Sequence, residues 1–339
     1  MNYQHVLKFA DEIRMAKELN QREFDVTPDK KPQYAVRKGT LNGIYDTTFR
    51  KSVDNAVVVD CQNLVAIAKQ KAEAPGGALI SKEEYPDFRL PYPDMWFEYK
   101  AGVSEVSKTP FDRVGVLGRC VEKSPNADQH VVKHLRDDNK CCSLHYDFTL
   151  FLKFKGVVIG PTFSICLSVT EQGEIHHGAI INYSDKRCYG EKVLRVENGK
   201  HLVNLLYSPD VAKGMTNAIC SLALPAFVAV QLMNCKNIIQ EEKEPPTTIN
   251  ERHRRDHPPL VKYKILKIER KGTAAQAASA DIQNPGIMPY HFCRGHFKRF
   301  TAEKPLLGRH VGTYWWEAQA RGSKKQGEVI KDYEVATPK

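Results

Sequence analysis

The sequence predicts an α+β protein with N-terminal helices, a central antiparallel β meander, a buried helix and a small, basic C-terminal antiparallel sheet. Three observations support this class. Apolar residues recur at helical spacing near the N-terminus, runs rich in β-branched and aromatic residues alternate with turn residues in the middle, and a later segment is apolar on all sides. A chain of 339 residues is longer than one compact core usually holds. We therefore expect a helical region and connector over 1–94, a β region over 95–206, and the buried helix with a basic α+β domain over 207–339.

The N-terminal region is predicted to contain two amphipathic helices. The first covers Tyr3–Leu19, where apolar side chains fall on one face between charged ones. The second covers Asn55–Lys71, and a polar, lysine-rich stretch separates the two. A connector rich in proline and glycine, Ala72–Asp94, leads on to the β region.

Five strand-like runs in the central region predict an antiparallel meander. The same region contains Cys141-Cys142 with His145 and the pair His176-His177, which are residue types that bind metals. Adjacent residues of a strand point to opposite faces, however, and no second ligand pair stands at zinc spacing. We therefore predict packed thiols and surface histidines, and neither a metal nor a cofactor.

A helix is predicted to begin at Ser208-Pro209-Asp210. Ser208 is the expected N-cap, Pro209 the first helical residue, and Asp210 interacts favourably with the helix dipole. The segment becomes apolar on all sides after Ala218, which indicates a buried helix with a structural role. Pro225 is expected to kink it.

The region after this helix is predicted to alternate short elements. We expect a strand at Asn237–Gln240, a short basic helix over 247–257 capped by one of its two leading threonines, and a strand over 261–270. The next stretch, Lys271–Pro289, is small, polar and aperiodic. A loop of that length inside a domain is usually functional or disordered.

The charge of the chain favours an anionic partner. It carries 50 Lys and Arg against 40 Asp and Glu, a net charge of +10. Residues 241–339 alone contain 19 Lys and Arg against 12 Asp and Glu, so +7 of this charge lies in the last third. Clustered positive charge is typical of nucleic-acid binding. The alternative interpretation is a solvated basic surface.

Cysteine usage and hydropathy predict a soluble, cytoplasmic protein without a membrane partner. The nine cysteines are an odd number with no C-x-x-C pair, as expected in a reducing compartment. The N-terminus shows no secretory signal. The longest apolar run, Ala218–Met233, contains Pro225 and is shorter than the roughly 20 residues of a membrane span.

The segment His291–Phe300, HFCRGHFKRF, concentrates the residues that favour a functional site. If it is a strand, alternate residues face opposite ways. One face then carries the cationic and titratable groups with their framing rings, which are Phe292, Arg294, His296, Lys298 and Phe300. The other face carries small or apolar residues, which are Cys293, Gly295 and Phe297.

Such a face suits a phosphodiester, since Arg and Lys form charge-assisted bonds to phosphate oxygens. Aromatic residues nearby supply rings that stack on bases. The candidate contacts to phosphate or nucleic acid are Arg294, Lys298, Arg299, Arg309, Arg321, Tyr314, Trp315 and Trp316. Three glycines are expected to let the backbone come close to a ligand, and these are Gly295, Gly312 and Gly322.

A catalytic version of this site uses His296 or His291 as general acid or base near neutral pH, with Tyr333 as a further donor. Cationic neighbours would stabilise charge that develops on the phosphate. The region offers separate carboxylates instead of the close cluster of a two-metal nuclease. Metal-independent RNA cleavage by the ribose hydroxyl is therefore the predicted reaction. The structural alternative is that Trp315-Trp316 only anchors the sheet to the apolar helix.

Several segments resemble a recurrent group of proteins from tailed bacteriophages and prophages. The most specific part of the pattern is HFCRGHFKRF, LLGRHVGTYWWEAQARGS and GEVIKDYEV near the C-terminus. LPYPDMWFEYK, NCKN and ERHRRDHPPLVKYKILKI match further upstream. The resemblance implies a phage protein made in a bacterial cytoplasm and brings no catalytic assignment. In outline, the elements after the buried helix are also similar to the ribonuclease toxins of the RelE group, and fold alone does not fix function.

Three functions are compatible with the sequence. The first is nucleic-acid binding, with RNA favoured over DNA, by a regulator or host-takeover factor. The second is a metal-independent ribonuclease of RelE-like type. The third is a protein-interaction factor whose basic aromatic surface meets an acidic host enzyme, because Arg and Trp are also common interface anchors.

Overall fold

The computed structural model describes residues 8–16, 20–21, 39–40, 43–72, 87–101, 111–125, 142–161, 163–182, 193–197, 200–202, 209–255, 257–268, 289–293, 295–316, 319–321 and 323–328. The chain forms two compact units. The larger unit consists of Met1–Asn234 with Gln240–Lys267, and the smaller of Cys235–Ile239 with Ile268–Lys339.

Five α-helices lie in the described part of the chain: α1 (Phe9–Met15), α2 (Gly43–Asn55), α3 (Val65–Ala72), α4 (Pro209–Met233) and α5 (Thr247–His253), and a 3-10 helix, Gln62–Leu64, precedes α3. The first nine strands are β1 (Asn20–Gln21), β2 (Gly39–Thr40), β3 (Val57–Asp60), β4 (Asp94–Lys100), β5 (Arg113–Cys120), β6 (Leu144–Phe154), β7 (Val157–Ile159), β8 (Phe163–Val169) and β9 (Ile175–Asn182). The others are β10 (Val193–Glu197), β11 (Lys200–Leu202), β12 (Ile238–Lys243), β13 (Tyr263–Ile268), β14 (Pro289–Cys293), β15 (His296–Phe300), β16 (Gly312–Trp316), β17 (Gln319–Arg321) and β18 (Ser323–Glu328).

One large mixed sheet organises the larger unit. Its main path runs β11-β10-β9-β8-β6-β5-β4-β3-β13-β12. Neighbours from β4 to β11 are antiparallel, which confirms the predicted meander, whereas β3 is parallel to both β4 and β13. The α+β class is confirmed. The strands of this sheet come from all three regions predicted as domains, 1–94, 95–206 and 207–339. The boundaries of the two compact units differ from the boundaries of those regions.

The predicted helix over Asn55–Lys71 is wrong in its first half. α2 ends at Asn55, and Val57–Asp60 forms β3 before helical conformation resumes with the 3-10 helix Gln62–Leu64 and α3. Consecutive β-branched valines favour an extended strand. β3 lies between two parallel neighbours, where a strand is apolar on both faces, and its three valines form a continuous apolar run before Asp60. Periodicity does not separate such a run from a buried helix.

α4 covers the apolar face of the sheet. Phe227 packs against Phe148 of β6 with ring centroids 5.0 Å apart. The ring of Phe88 lies 5.8 Å from that of Phe148 and 6.0 Å from that of Phe227. The hydroxyl of Tyr99 on β4 donates to the carbonyl oxygen of Leu222, 2.8 Å away. A single long helix therefore closes this side of the core.

The predicted buried helix is confirmed in its start and its burial. α4 begins at Pro209 and continues through Pro225, and its residues are almost all buried from Ile219 onward. The predicted N-cap, Ser208, lies outside the described residues. α5 begins at Thr247 with Pro246 at its N-cap position, so neither leading threonine caps it.

α1 and α2 cover the opposite face of the sheet through aromatic contacts. Phe9 of α1 lies edge-on to Trp96 of β4 with ring centroids 5.8 Å apart, and Phe49 of α2 lies edge-on to Phe151 of β6 at 5.7 Å. Edge-to-face pairs at these separations are favourable beyond the area they bury. The two helices are thus fixed on neighbouring positions of one face.

A buried carboxylate on β4 receives the first N–H groups of α1. Glu98 accepts hydrogen bonds from the backbone N–H of Phe9 and of Ala10, both at 3.0 Å, and from the indole N–H of Trp96 at 2.8 Å. The start of a helix leaves such N–H groups without partners in the helix itself. Burial raises the pKa of the Glu98 carboxyl, and these bonds act in the opposite direction.

A row of buried charges crosses the same face. Asp94 on β4, Arg119 on β5 and Asp147 on β6 are direct cross-strand partners, so negative, positive and negative groups alternate. The Arg119 guanidinium donates to one carboxylate oxygen of Asp147, and the hydroxyls of Thr149 and Ser164 donate to the other. All five side chains are buried, and the bonds among them are those of a structural ion network.

No disulfide joins the cysteines whose side chains the structure describes. Cys166 and Cys220 are buried, and burial raises the pKa of Cys220 to about 12. A thiol of that kind is chemically inert at neutral pH. In the described part of the chain, no helix combines the length and apolar character that a bilayer crossing requires.

The smaller unit contains two short sheets in its described part. β14 is antiparallel to β17 and parallel to β18, whereas β15 and β16 form a separate antiparallel pair. The predicted single strand over His291–Phe300 is therefore wrong, because β14 ends at Cys293 and β15 begins at His296 in another sheet. Gly295 lies at the break, where a residue without a side chain weakens a strand.

Replacement of Arg119 by methionine is expected to lower the free energy of unfolding by about 3–5 kcal/mol, because it leaves buried carboxylates without their cation. Urea unfolding followed by circular dichroism measures the loss. The matched control is Lys262→Met. Lys262 forms an exposed ion pair with Glu244, so its replacement should lower the free energy of unfolding by less than about 1 kcal/mol. Equal losses in the two variants would contradict a structural role for the buried row.

Candidate functional site

The hairpin of β15 and β16 separates its side chains onto two different faces. The register pairs His296 with Trp316 and Lys298 with Tyr314, and it pairs Phe297 with Trp315. Directly opposite residues of an antiparallel pair point to the same side. The predicted alternation within this segment is thus present from His296 to Phe300, and each face also receives residues from β16.

One face of the hairpin is an exposed platform of rings around a cation. The Lys298 ammonium lies 5.3 Å from the ring centroid of Phe300 and 5.4 Å from that of Trp316. Tyr314 stands directly opposite Lys298 and lies edge-on to Phe300, with centroids 5.9 Å apart. Lys298 and His296 are exposed, and the three rings are half-buried. Cation and ring faces are therefore presented together.

The other face of the hairpin packs inward. Trp315 is only 4% exposed, and its ring lies 4.6 Å from that of Phe297 between centroids. Thr313 on the same strand is also buried, while Arg299, opposite it, is exposed. Two adjacent tryptophans therefore differ in their roles, because Trp315 belongs to the interior of the unit and Trp316 to the platform.

Asn237 acts as a strand partner for Trp315. Its side-chain amide donates to the carbonyl oxygen of Trp315 at 2.8 Å, and its amide oxygen accepts from the N–H of Trp315 at 3.0 Å. The backbone N–H of Lys236 donates to the carbonyl oxygen of Thr313 at 3.0 Å. These bonds hold β16 in register against residues 235–239, and buried backbone groups of β16 gain partners they would otherwise lack.

Asn237 and Lys236 are the site residues that sequence reasoning missed. Both belong to the NCKN segment, which was noted only because it resembles the phage proteins. Gly312 was predicted to admit a ligand, but it lies against Lys236 instead. It has a φ of +128°, and a Cβ there would come within 3.2 Å of the Lys236 side chain. The glycine thus serves the packing of the hairpin.

The remaining predicted residues are divided among different places. His291 on β14 is the direct cross-strand partner of Arg321 on β17, and Arg309 is exposed in the loop between β15 and β16. His291 and His296 belong to different sheets. Arg294, Tyr333 and the loop before Pro289 lie outside the described residues.

The outline that is similar to the RelE group is divided between the two units. α5 and β13 as far as Lys267 belong to the larger unit, whereas β14 to β18 belong to the smaller one. The short basic helix and the aromatic strands are therefore not parts of one small sheet domain.

The prediction of a surface histidine is wrong for His145, which is buried and hydrogen-bonded. Its Nδ1 lies 2.8 Å from one carboxylate oxygen of Glu122, and its backbone N–H donates to the other oxygen at 2.9 Å. His176 is exposed. Among the residues that the structure describes, no three His, Cys, Asp or Glu side chains gather as metal ligands would.

Comparison with protein-family models, with curated proteins and with solved structures gives no match for this chain.

Replacement of Asn237 by alanine is expected to expose the backbone N–H of Trp315 to hydrogen exchange, because both amide contacts are lost. The local free energy of opening should fall by about 1–3 kcal/mol. Exchange measured by NMR at Trp315 tests this directly. Asn237→Asp separates the two contacts, since its carboxylate still accepts from that N–H but no longer donates to the carbonyl oxygen of Trp315, and it should preserve part of the protection. Unchanged exchange at Trp315 in the alanine variant would remove the proposed strand-partner role.

Proposed function

We propose that this protein binds nucleic acid, RNA in preference to DNA, through the exposed platform of β15 and β16. The observation that carries the proposal is Lys298 between Phe300 and Trp316, with its ammonium 5.3 and 5.4 Å from their centroids. An ammonium contacts a phosphate, and a ring face stacks on a base. A single strand offers both groups at once, and such platforms bind it without strict sequence preference.

The charge distribution supports the same proposal. Residues 241–339 carry +7 of the net +10, so a polyanion is attracted to the part of the sequence that contains the platform. Unpaired bases splay out and stack more readily in RNA loops and single strands than in a duplex. An RNA single strand or loop is accordingly the proposed ligand.

The proposed setting is a bacteriophage protein that acts in the bacterial cytoplasm, as a regulator or host-takeover factor without a membrane partner. A protein-interaction factor acting on an acidic host enzyme is the competing class. A pull-down from bacterial lysate with and without nuclease treatment separates the two. Partners that disappear after nuclease treatment support nucleic-acid binding, and protein partners that persist support the competing class.

Lys298→Ala is expected to weaken RNA binding and to reduce its salt dependence. Loss of one phosphate contact should lower the slope of log affinity against log salt by about 0.7 for a single strand. Fluorescence anisotropy of a labelled single-stranded RNA across a salt series measures both quantities. A DNA of the same sequence should bind more weakly.

The matched control is Arg299→Ala. This variant removes the same charge from the adjacent residue, which was also a candidate phosphate contact in the sequence but lies on the face of the hairpin opposite the platform. Its salt slope should stay near that of the unmodified protein. Equal changes in both variants would show that net charge, and not the platform, governs binding, and an affinity indifferent to salt would reject nucleic-acid binding altogether.

A metal-independent ribonuclease is a second proposal, supported by the neighbouring positions of His291 and Arg321. The two are direct cross-strand partners, so a general base and a cation would occupy adjacent strands. In this reaction the base takes the proton of the ribose 2′-hydroxyl, and the oxygen attacks the neighbouring phosphorus. The bond to the 5′-oxygen of the next nucleotide breaks, that oxygen takes a proton from the protonated base or from water, and a 2′,3′-cyclic phosphate remains.

This second proposal predicts RNA cleavage in the presence of EDTA. His291→Ala should abolish the cleavage, since the base is lost, while anisotropy shows that RNA is still bound. His296→Ala is the comparison, because His296 is the other candidate base, and this variant should still cleave if His291 is the base. Gel electrophoresis of the RNA products measures the cleavage. Cleavage by the variant that lacks both histidines would exclude histidine catalysis.

A further inference from the structure

The loop between β15 and β16 has a tight turn at its tip. Two backbone hydrogen bonds close it, from the N–H of Leu306 to the carbonyl of His310 at 2.8 Å and in the reverse direction at 3.0 Å. The N–H of Arg309 also donates to the carbonyl of Leu306 at 3.1 Å. Leu307 and Gly308 are thus the central residues of a β-turn, and both have positive φ, +52° and +71°.

Leu307 is an unfavourable residue for this turn. Turns with positive φ at both central positions favour Asn-Gly or Gly-Gly, because the Cβ of other residues is crowded in the left-handed region. Gly308 meets this requirement and Leu307 does not. Strained backbone that persists in a folded protein is found most often at functional sites.

Burial does not compensate for the strain at Leu307. Its side chain is 84% exposed, and Val311 in the same loop is 49% exposed. An apolar side chain left in water gains none of the stabilisation that burial gives. Neither turn preference nor contacts among the described residues accounts for leucine at this position.

The charges around the turn favour an anionic partner. Lys304 and Arg309 are exposed on either side of the tip along the chain. The nearest carboxylate along the sequence, Glu303, forms a hydrogen bond with the side chain of Thr301. The segment around the exposed Leu307 therefore carries two cations and one carboxylate, and the carboxylate is already hydrogen-bonded.

We infer that Leu307 is a wedge that inserts between two adjacent bases of the bound RNA, an inference that rests on the proposed RNA binding. Proteins that insert apolar side chains between base steps partly unstack them, and they also use Arg and Lys to contact the nucleic acid. Lys304 and Arg309 supply those contacts here. The wedge and the platform belong to one hairpin, so a single RNA can meet both.

The test uses a single-stranded RNA that carries 2-aminopurine, whose fluorescence rises when the base loses its stacking neighbours. Addition of the unmodified full-length protein should raise this fluorescence. Leu307→Asn should abolish the rise and weaken binding by roughly tenfold, as expected when an inserted side chain is lost. Because asparagine is favoured at positive φ, the variant should unfold at the same or a higher temperature.

Val311→Asn is the matched control, since it makes the same kind of change at an exposed apolar residue outside the turn. It should keep the full fluorescence rise. Binding that depends on Lys298 but leaves 2-aminopurine quenched, or a Leu307→Asn protein that still unstacks the base, overturns the wedge alone. Absence of any RNA binding by the unmodified protein overturns the wedge together with the proposed function.

Discussion

The larger unit depends on one buried carboxylate that completes a helix from outside. α1 has only seven residues, and a helix of that length does not persist in water without tertiary contacts. Glu98 supplies the missing partners for its first N–H groups. Once α1 is fixed, its Asp11 accepts from the backbone N–H of Val261 at 3.0 Å, just before β13. A single residue on β4 thereby influences where a distant strand joins the sheet.

The smaller unit uses the same device with a different side chain. The amide of Asn237 satisfies both the N–H and the carbonyl of Trp315, as a neighbouring strand would. Because one face of β16 is held inward in this way, the alternation along the strand leaves Tyr314 and Trp316 on the other face beside Lys298. The proposed binding surface is thus a consequence of how the unit satisfies its backbone.

Patterns within short segments predicted much of this structure. The start of α4, its burial, the strands of the meander and the face shared by His296 and Lys298 all follow from local periodicity. Contacts between distant residues could not be predicted in this way. Asn237 meets Trp315 only in the folded chain, and the run Val57–Asp60 is a strand because β4 and β13 flank it. For the same reason, nothing in the local sequence showed that Gly312 serves the approach of Lys236.

The position of β3 has a consequence for synthesis on the ribosome. Its partner β4 follows closely along the chain, but β13 is made only after residues 61–262 have been translated. Until then one edge of β3 has open N–H and carbonyl groups on a strand of valines, and such edges pair readily with other chains. A nascent or truncated chain that stops before Tyr263 therefore carries an aggregation-prone edge that the complete protein closes.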